Sequence, residues 1–195
     1  MHYDDIYYLA ECTGKNPDLM FNKEDIKSNL ENELYRKGPG TINKIVDLVI
    51  APPVPRKPVY QDWYSSPRIT VSKKVADIFK QVGLYNNQLF EARIVHEGEV
   101  EPDIFMFKCN TEINLMHHGR SSFDKPGRFY FIDSLSLDEA VLDKIEEDKR
   151  LILLMDEDPD KILFHERMVQ ALEAAEVTGV RFVKVKDWNV GSAFD

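Results

Sequence analysis

The densest chemistry in the sequence is the run Asp156-Glu157-Asp158-Pro159-Asp160, whose alternating carboxylates resemble the oxygen ligands of a calcium loop. The pattern breaks where such a loop is most demanding. Lys161 stands where the sharp turn needs glycine, Pro159 intrudes, and Glu166 falls one place short of the bidentate position. A solvated acidic loop is the better reading. The histidines, His2, His96, His117, His118 and His165, could move protons near neutral pH, yet they make no H-E-x-x-H and no Cys–His ligand spacing. His117 and His118 are adjacent, so on a strand they face opposite ways and cannot share one ion. A small enzyme built on these two imidazoles competes with a structural role for them at a turn edge. Ser65-Ser66 and Ser121-Ser122 lack the G-x-S-x-G setting, and neither Cys12 nor Cys109 is marked as an activated thiolate. No glycine-rich phosphate cradle occurs. The expectation is a protein that is not an enzyme, with no catalytic residues, no metal and no cofactor.

Charge points to binding instead. The 195 residues carry 25 basic and 34 acidic side chains, a formal charge of −9. Residues 138–160 concentrate it, with ten carboxylates against Lys144, Lys149 and Arg150. A localised negative field repels phosphate backbones and attracts cationic surfaces, so the expected partner is not nucleic acid. Composition (43% hydrophobic, 30% charged) is that of a folded soluble domain and excludes a disordered or disulfide-scaffold chain. Cys12 and Cys109 read as reduced thiols, with a single bond between them left open. Leu151–Met155 is the longest apolar run, far short of a membrane span. Met1-His2-Tyr3-Asp4-Asp5 has acids where a secretory signal has bases, so a cytoplasmic location is expected.

The elements that must position these groups follow from periodicity. Ile6–Ala10 reads as a strand ending in the turn-forming Thr13–Pro17. Ile26, Leu30 and Leu34 predict a helix over 23–37, capped by Asn22 and stopped at Gly38-Pro39-Gly40. The apolar stretch 42–50 fits helix or strand. Four prolines between Pro52 and Pro58 predict an extended connector, either a rigid internal linker or a ligand for another domain. Val75, Ile78, Phe79 and Val82 predict a helix over 73–82, capped by Ser72 and ended by a left-handed Gly83. Short strands are expected at 89–95, 104–109, 113–116, 128–133 and 151–155, and a short helix within 138–148 with Ala140, Val141 and Ile145 inward. Phe105/Phe107 alternate with Ile104/Met106, as in a strand covered on both faces. Lys161–Phe164, a helix over 166–177 with Met168, Ala171, Leu172 and Ala175 inward, and Val180–Val185 make a C-terminal strand–helix–strand unit. The fold expected is α+β: a mainly antiparallel sheet with a few packed helices, residues 1–58 packing on a main domain of 59–195.

Met168–Phe182, with its helix, Thr178-Gly179 corner and phenylalanine-bearing strand, resembles the terminal signature of a bacterial immunity-protein family typified by a myxobacterial immunity domain. Asp62-Trp63 followed by Ile69–Val75 is similar to the segment leading into that family's first main helix. The opening Tyr7-Tyr8-Leu9 before a proline-containing loop agrees. The resemblance spans about 60–195, and nothing in 20–58 matches it. It implies a protein encoded beside a polymorphic toxin of contact-dependent or type VI secretion systems, whose task is to bind and neutralise that toxin. It carries no catalytic motif. Joined to the charge map, it predicts a stoichiometric complex with a cognate toxin domain, such as a basic nuclease. Asp156, Glu157, Asp158 and Asp160 would supply anionic contacts, and Trp63, Tyr64 and Trp188 are candidate anchors in competition with core roles. Charge reversal across the four acids is expected to slow association. Homo-oligomerisation is left open.

Overall fold

The computed structural model describes residues 2–13, 17–27, 30–127 and 130–192. Numbered in chain order, strand β1 (Tyr7–Cys12) lies between β13 (Val180–Lys184) and β12 (Ile162–His165). Strands β11 (Ile152–Met155) and β8 (Glu112–Ile113) complete this five-stranded sheet, antiparallel except for the β8–β11 pair. The six-stranded sheet runs in the order β2 (Leu19–Phe21), β3 (Val46–Ile50), β6 (Gln88–His96), β7 (Glu99–Lys108), β5 (Thr70–Ser72) and β4 (Trp63–Tyr64). Here only β3 and β6 pair in parallel. Strands β9 (Ser122–Asp124) and β10 (Phe131–Ser134) form a separate ribbon. The helices are α1 (Lys23–Lys27), α2 (Leu30–Tyr35), α3 (Lys73–Val82), α4 (Glu139–Leu142) and α5 (Glu166–Ala174). The fold is α+β with mostly antiparallel sheets. Residues 1–58 contribute strands to both sheets. Among the described residues no helix is long and apolar enough to cross a membrane.

The two-residue period of the strands sorts side chains into three cores. Tyr7 and Leu9 of β1 join Leu153, Met155 and Leu163 in an outer core with Leu137, Leu142 and Trp188. Tyr8, Ala10 and Cys12 face the other way, toward Ile152 and Phe164. Strand β7 is divided likewise: Ile104 and Met106 enter a core closed by Leu30 and Leu34 of α2, whereas Phe105 and Phe107 face the middle core. The expected two-sided burial of this strand is what the structure shows. That middle core joins the sheets, because Val75, Ala76 and Phe79 of α3 and Met168, Val169 and Leu172 of α5 meet residues from both. Trp63 sits at its centre, its ring 6.2 Å from Phe79, 5.6 Å from Phe164 and 5.9 Å from Phe182, each edge-on. Such tilted aromatic pairs add about 0.5–1.5 kcal/mol each beyond area burial.

Side-chain caps begin α1 and α4. Asn22 Oδ1 accepts from the Glu24 and Asp25 amides, and Asp138 from that of Ala140. Ser72 precedes α3 as expected, but its hydroxyl donates to Asp62 Oδ1 at 2.7 Å instead of capping the helix. Gly83 ends α3 at φ +142°, not in the left-handed helical well, and a Cβ there would meet Leu151 Cδ1 at 3.0 Å. The helix expected over 23–37 is described as α1 and α2, which end at Tyr35, with residues 28 and 29 outside the described residues, and α5 stops at Ala174. Of the stretch 42–50, Val46–Ile50 form β3, whose parallel partner β6 lies far along the chain. The strand expected at 113–116 stops at Ile113, and Met116 makes an isolated bridge with Leu137. Ala140 faces solvent: α4 is too short to repeat its inward face, and Leu142 takes the buried position. The turn at Gly14–Asn16, the Ile26 side chain, and Arg128 and Phe129 of an expected strand lie outside the described residues.

Candidate functional site

The acidic run at the end of β11 is put to local use. Asp156 pairs with Lys37 at 2.8 Å, and Lys37 also bridges to Glu112 at 2.8 Å. Lys37, followed by Glu112, holds the Asp156 carboxyl below its ordinary value. Glu157 turns inward, 8% exposed, and accepts the Leu115 and Met116 amides at 3.2 and 2.9 Å. It is therefore removed from the expected contact set. Asp158 Oδ1 accepts the Asp160 amide at 3.1 Å and shapes the turn. Asp160 is the outlying member, its side chain 88% exposed and 3.9 Å from Arg68. The rest of the acidic segment sits before β11, where Glu147 and Asp148 pair with Arg167 at 2.7 and 2.9 Å. A strand thus separates the two halves of what the sequence presents as one charged block.

The expected aromatic anchors are core residues in this conformation. Trp63 is 1% exposed and Tyr64 2%, and Trp188 is buried with its indole N–H on Glu11 at 2.7 Å. An indole or phenol with its body buried and its polar edge partnered has nothing left to insert into another protein. His117 and His118 do not line the main cleft. His118 lies edge-on to Phe123 and Tyr130, and the backbone of His117 organises the following turn by accepting the Arg120 and Ser121 amides. The fifth histidine, His165, is an N-cap: its Nδ1 accepts the Arg167 amide at 3.3 Å, and burial holds its pKa below the ordinary value. The thiols are free, Cys109 buried and Cys12 half-buried, and burial pushes the Cys109 pKa up to about 12.

The two sequence segments that carried the family resemblance meet in space. Asp62 Oδ2 accepts from the Thr178 amide and from the Thr178 hydroxyl, both at 3.0 Å, while the Asp62 amide donates back to Thr178 Oγ1 at 3.1 Å. Asp62 Oδ1 takes the Ser72 hydroxyl, and Lys74 Nζ lies 2.7 Å from Oδ2. This clasp ties the start of α3 to the exit of α5, the helices that fill the middle core.

Two surface features were not anticipated. The first is a cleft of about 510 Å³ where the sheets meet, bounded by β1, the end of α2, the loop after β4, the end of β7 and the start of β12. The second is the face of the six-stranded sheet beyond α3. Cross-strand registers Met20↔Val49, Val49↔Val95 and Val95↔Val100 place these four side chains in one row across β2, β3, β6 and β7. Met20 is 38% and Val100 47% exposed, and the inner two are half-buried. The β6–β7 hairpin borders the row with Glu91, Glu97 and Asp103, beside Arg93, which pairs with Asp47 at 2.6 Å; Glu99 and Glu101 flank Val100 and alternate onto the opposite face, that of Ile94 and Tyr60. The sequence does display this acidic stretch, but near-neutral charge across residues 71–137 hides it, and the apolar row exists only in strand register. The chain matches no known protein-family profile and no curated protein.

Proposed function

We propose that the protein is an immunity protein, a non-enzymatic inhibitor that binds a cognate secreted bacterial toxin in a stoichiometric complex. The observation that carries this reading is the apolar row Met20–Val49–Val95–Val100 bordered by the anionic β6–β7 hairpin. Desolvated apolar centres with a charged border are the anatomy of specific protein interfaces, and like-signed borders speed encounter with partners of opposite charge. The partner that fits is a basic toxin domain. Supporting this, the groups best suited to chemistry are committed to structure: His165 caps α5, Glu157 holds two amides, and Asp62 forms the clasp. The resemblance of 60–195 to immunity proteins points the same way.

The test is co-expression with the C-terminal domain of any large secreted protein that proves to be encoded beside this gene. Cells poisoned by that domain should be rescued, and the two chains should co-purify in equal amounts. Reversing Glu91 and Glu97 to lysine should slow association, most strongly at low salt. No rescue and no complex with the wild-type protein would overturn the proposal.

A further inference from the structure

We propose that the cleft between the two sheets is a binding site for a small amphipathic oxyanion, an apolar or aromatic body bearing a carboxylate or phosphate, recognised by Arg68. This is independent of the toxin-binding reading, because the cleft and the anionic sheet face are different surfaces. The cleft is locally cationic in a chain of charge −9: Arg36, Lys37, Arg68, Lys108 and Lys161 line it against Glu11, Glu112 and Asp160.

Most of these charges are already used. Lys37 bridges Glu112 and Asp156, Arg36 bonds Glu33 at 3.0 Å, and Glu11 accepts the Trp188 indole. Lys108, 5% exposed, closes the C-terminal end of α2 by donating to the Glu33, Leu34 and Arg36 carbonyls. Arg68 is different. Its guanidinium lies 3.8 Å from the Tyr35 ring centroid, and the Tyr35 hydroxyl is fixed by donation to Pro67 O at 3.0 Å. Its Nε is buried and has no hydrogen-bond partner among the described residues. Its nearest carboxylate, Asp160, is 3.9 Å away on a side chain that is mostly exposed. A stacked guanidinium with an unused buried N–H presents the planar fork that carboxylates and phosphates accept.

The surroundings strengthen the case. Burial, then repulsion from Arg36, lowers the Lys108 pKa against the pull of Glu33, with Arg68 adding a lesser repulsion, so an anion here would relieve crowding among like charges. Asn110, on the same lining, also keeps a buried oxygen without a partner, an acceptor for a ligand hydroxyl or amine. Ile69, Phe107, Leu154 and Ile162 supply apolar wall for the ligand body. The volume suits a small organic molecule, since ligand pockets run from about 300 to 1,000 Å³.

The experiment is isothermal titration of the intact protein with 1-naphthyl phosphate, 1-naphthoate and the neutral 1-naphthol. At least one anion should bind and the naphthol should bind at least about tenfold more weakly; which anion prevails separates phosphate from carboxylate ligands. R68Q should weaken the preferred anion by about tenfold or more, leaving naphthol affinity unchanged. Because Arg68 packs on Tyr35 and R68Q could unfold the site, D160K provides a second reading at an exposed position. It should tighten anion binding without affecting naphthol. Equal affinity for naphthol and the anions, no heat from either anion at millimolar concentration, or anion affinity unmoved by D160K would overturn the proposal.

Discussion

Removing the Asp62 carboxylate should loosen the junction of α3 and α5 more than any other single substitution at a partly exposed position. Asp62→Ala deletes the acceptor for the Ser72 hydroxyl and for the Thr178 amide and hydroxyl, at 2.7, 3.0 and 3.0 Å. Hydrogen bonds to a charged group contribute about 1.5–3 kcal/mol when buried, and less here because Thr178 reaches solvent. Lys74 adds only about 0–1 kcal/mol, as its side chain is half exposed. The expected loss is about 2–3 kcal/mol, or roughly 4–12 °C in Tm at some 2–4 °C per kcal/mol for a chain of this size. Asp62→Asn keeps one acceptor oxygen and should lose about half as much, roughly 1–1.5 kcal/mol. Urea denaturation followed by circular dichroism measures both. A double-mutant cycle with Thr178→Val should give a coupling of about 1 kcal/mol, since the valine keeps the amide but not the hydroxyl. Acid supplies a second readout. Burial pushes the Asp62 pKa up, but Lys74, the Thr178 amide and the two hydroxyls outweigh it and hold the folded value below the ordinary one. The stabilisation is therefore complete above the unfolded value of about 3.9 and is lost as pH falls through the lower folded value. Wild type and Asp62→Asn should converge in that acid range. A midpoint for Asp62→Ala indistinguishable from wild type, or strict additivity with Thr178→Val, would refute the clasp.

Other perturbations test the structure elsewhere. His165 has a lowered folded pKa from burial, so its stabilisation is present above the unfolded value of about 6.5 and declines below it. His165→Asn, which can still cap α5, should flatten the fall in urea midpoint between neutral and mildly acidic pH, and parallel curves would count against this. Glu157→Ala strands the Leu115 and Met116 amides in a buried setting and should cost about 2–4 kcal/mol by chemical denaturation. An unchanged midpoint would mean that water replaces the carboxylate. Cys12 should react with a thiol reagent in the native protein, whereas Cys109 should react only on unfolding. Equal native rates would contradict that burial. Trypsin should cut after Arg56, exposed in the proline-rich segment, before any site in the sheets. Resistance there would show the segment to be held against the body.

Much of the local architecture was written in the order of residues. Val75, Ile78, Phe79 and Val82 at helical spacing, and Phe105/Phe107 alternating with Ile104/Met106, are periodic signals that need no distant partner to be read. The α+β class followed from them, and the helix start at Asn22 was legible too, because a cap is decided within a few residues. Tertiary packing decided the rest. Residues 46–50 became a strand because β6, some forty positions on, offers a parallel edge. Trp63, a surface candidate by type, was drawn into the middle core by aromatic partners scattered from Phe79 to Phe182, and Tyr64 into the core closed by α2. The acidic block was split by β11, its charges consumed by Lys37, Arg167 and buried amides from elsewhere in the chain. The apolar row, the Asp62–Thr178 clasp and the Arg68 cleft all join residues far apart in sequence. A linear order records what each side chain can do; only the closed fold records which ones meet, because burial and pairing depend on distances that spacing along the chain does not contain.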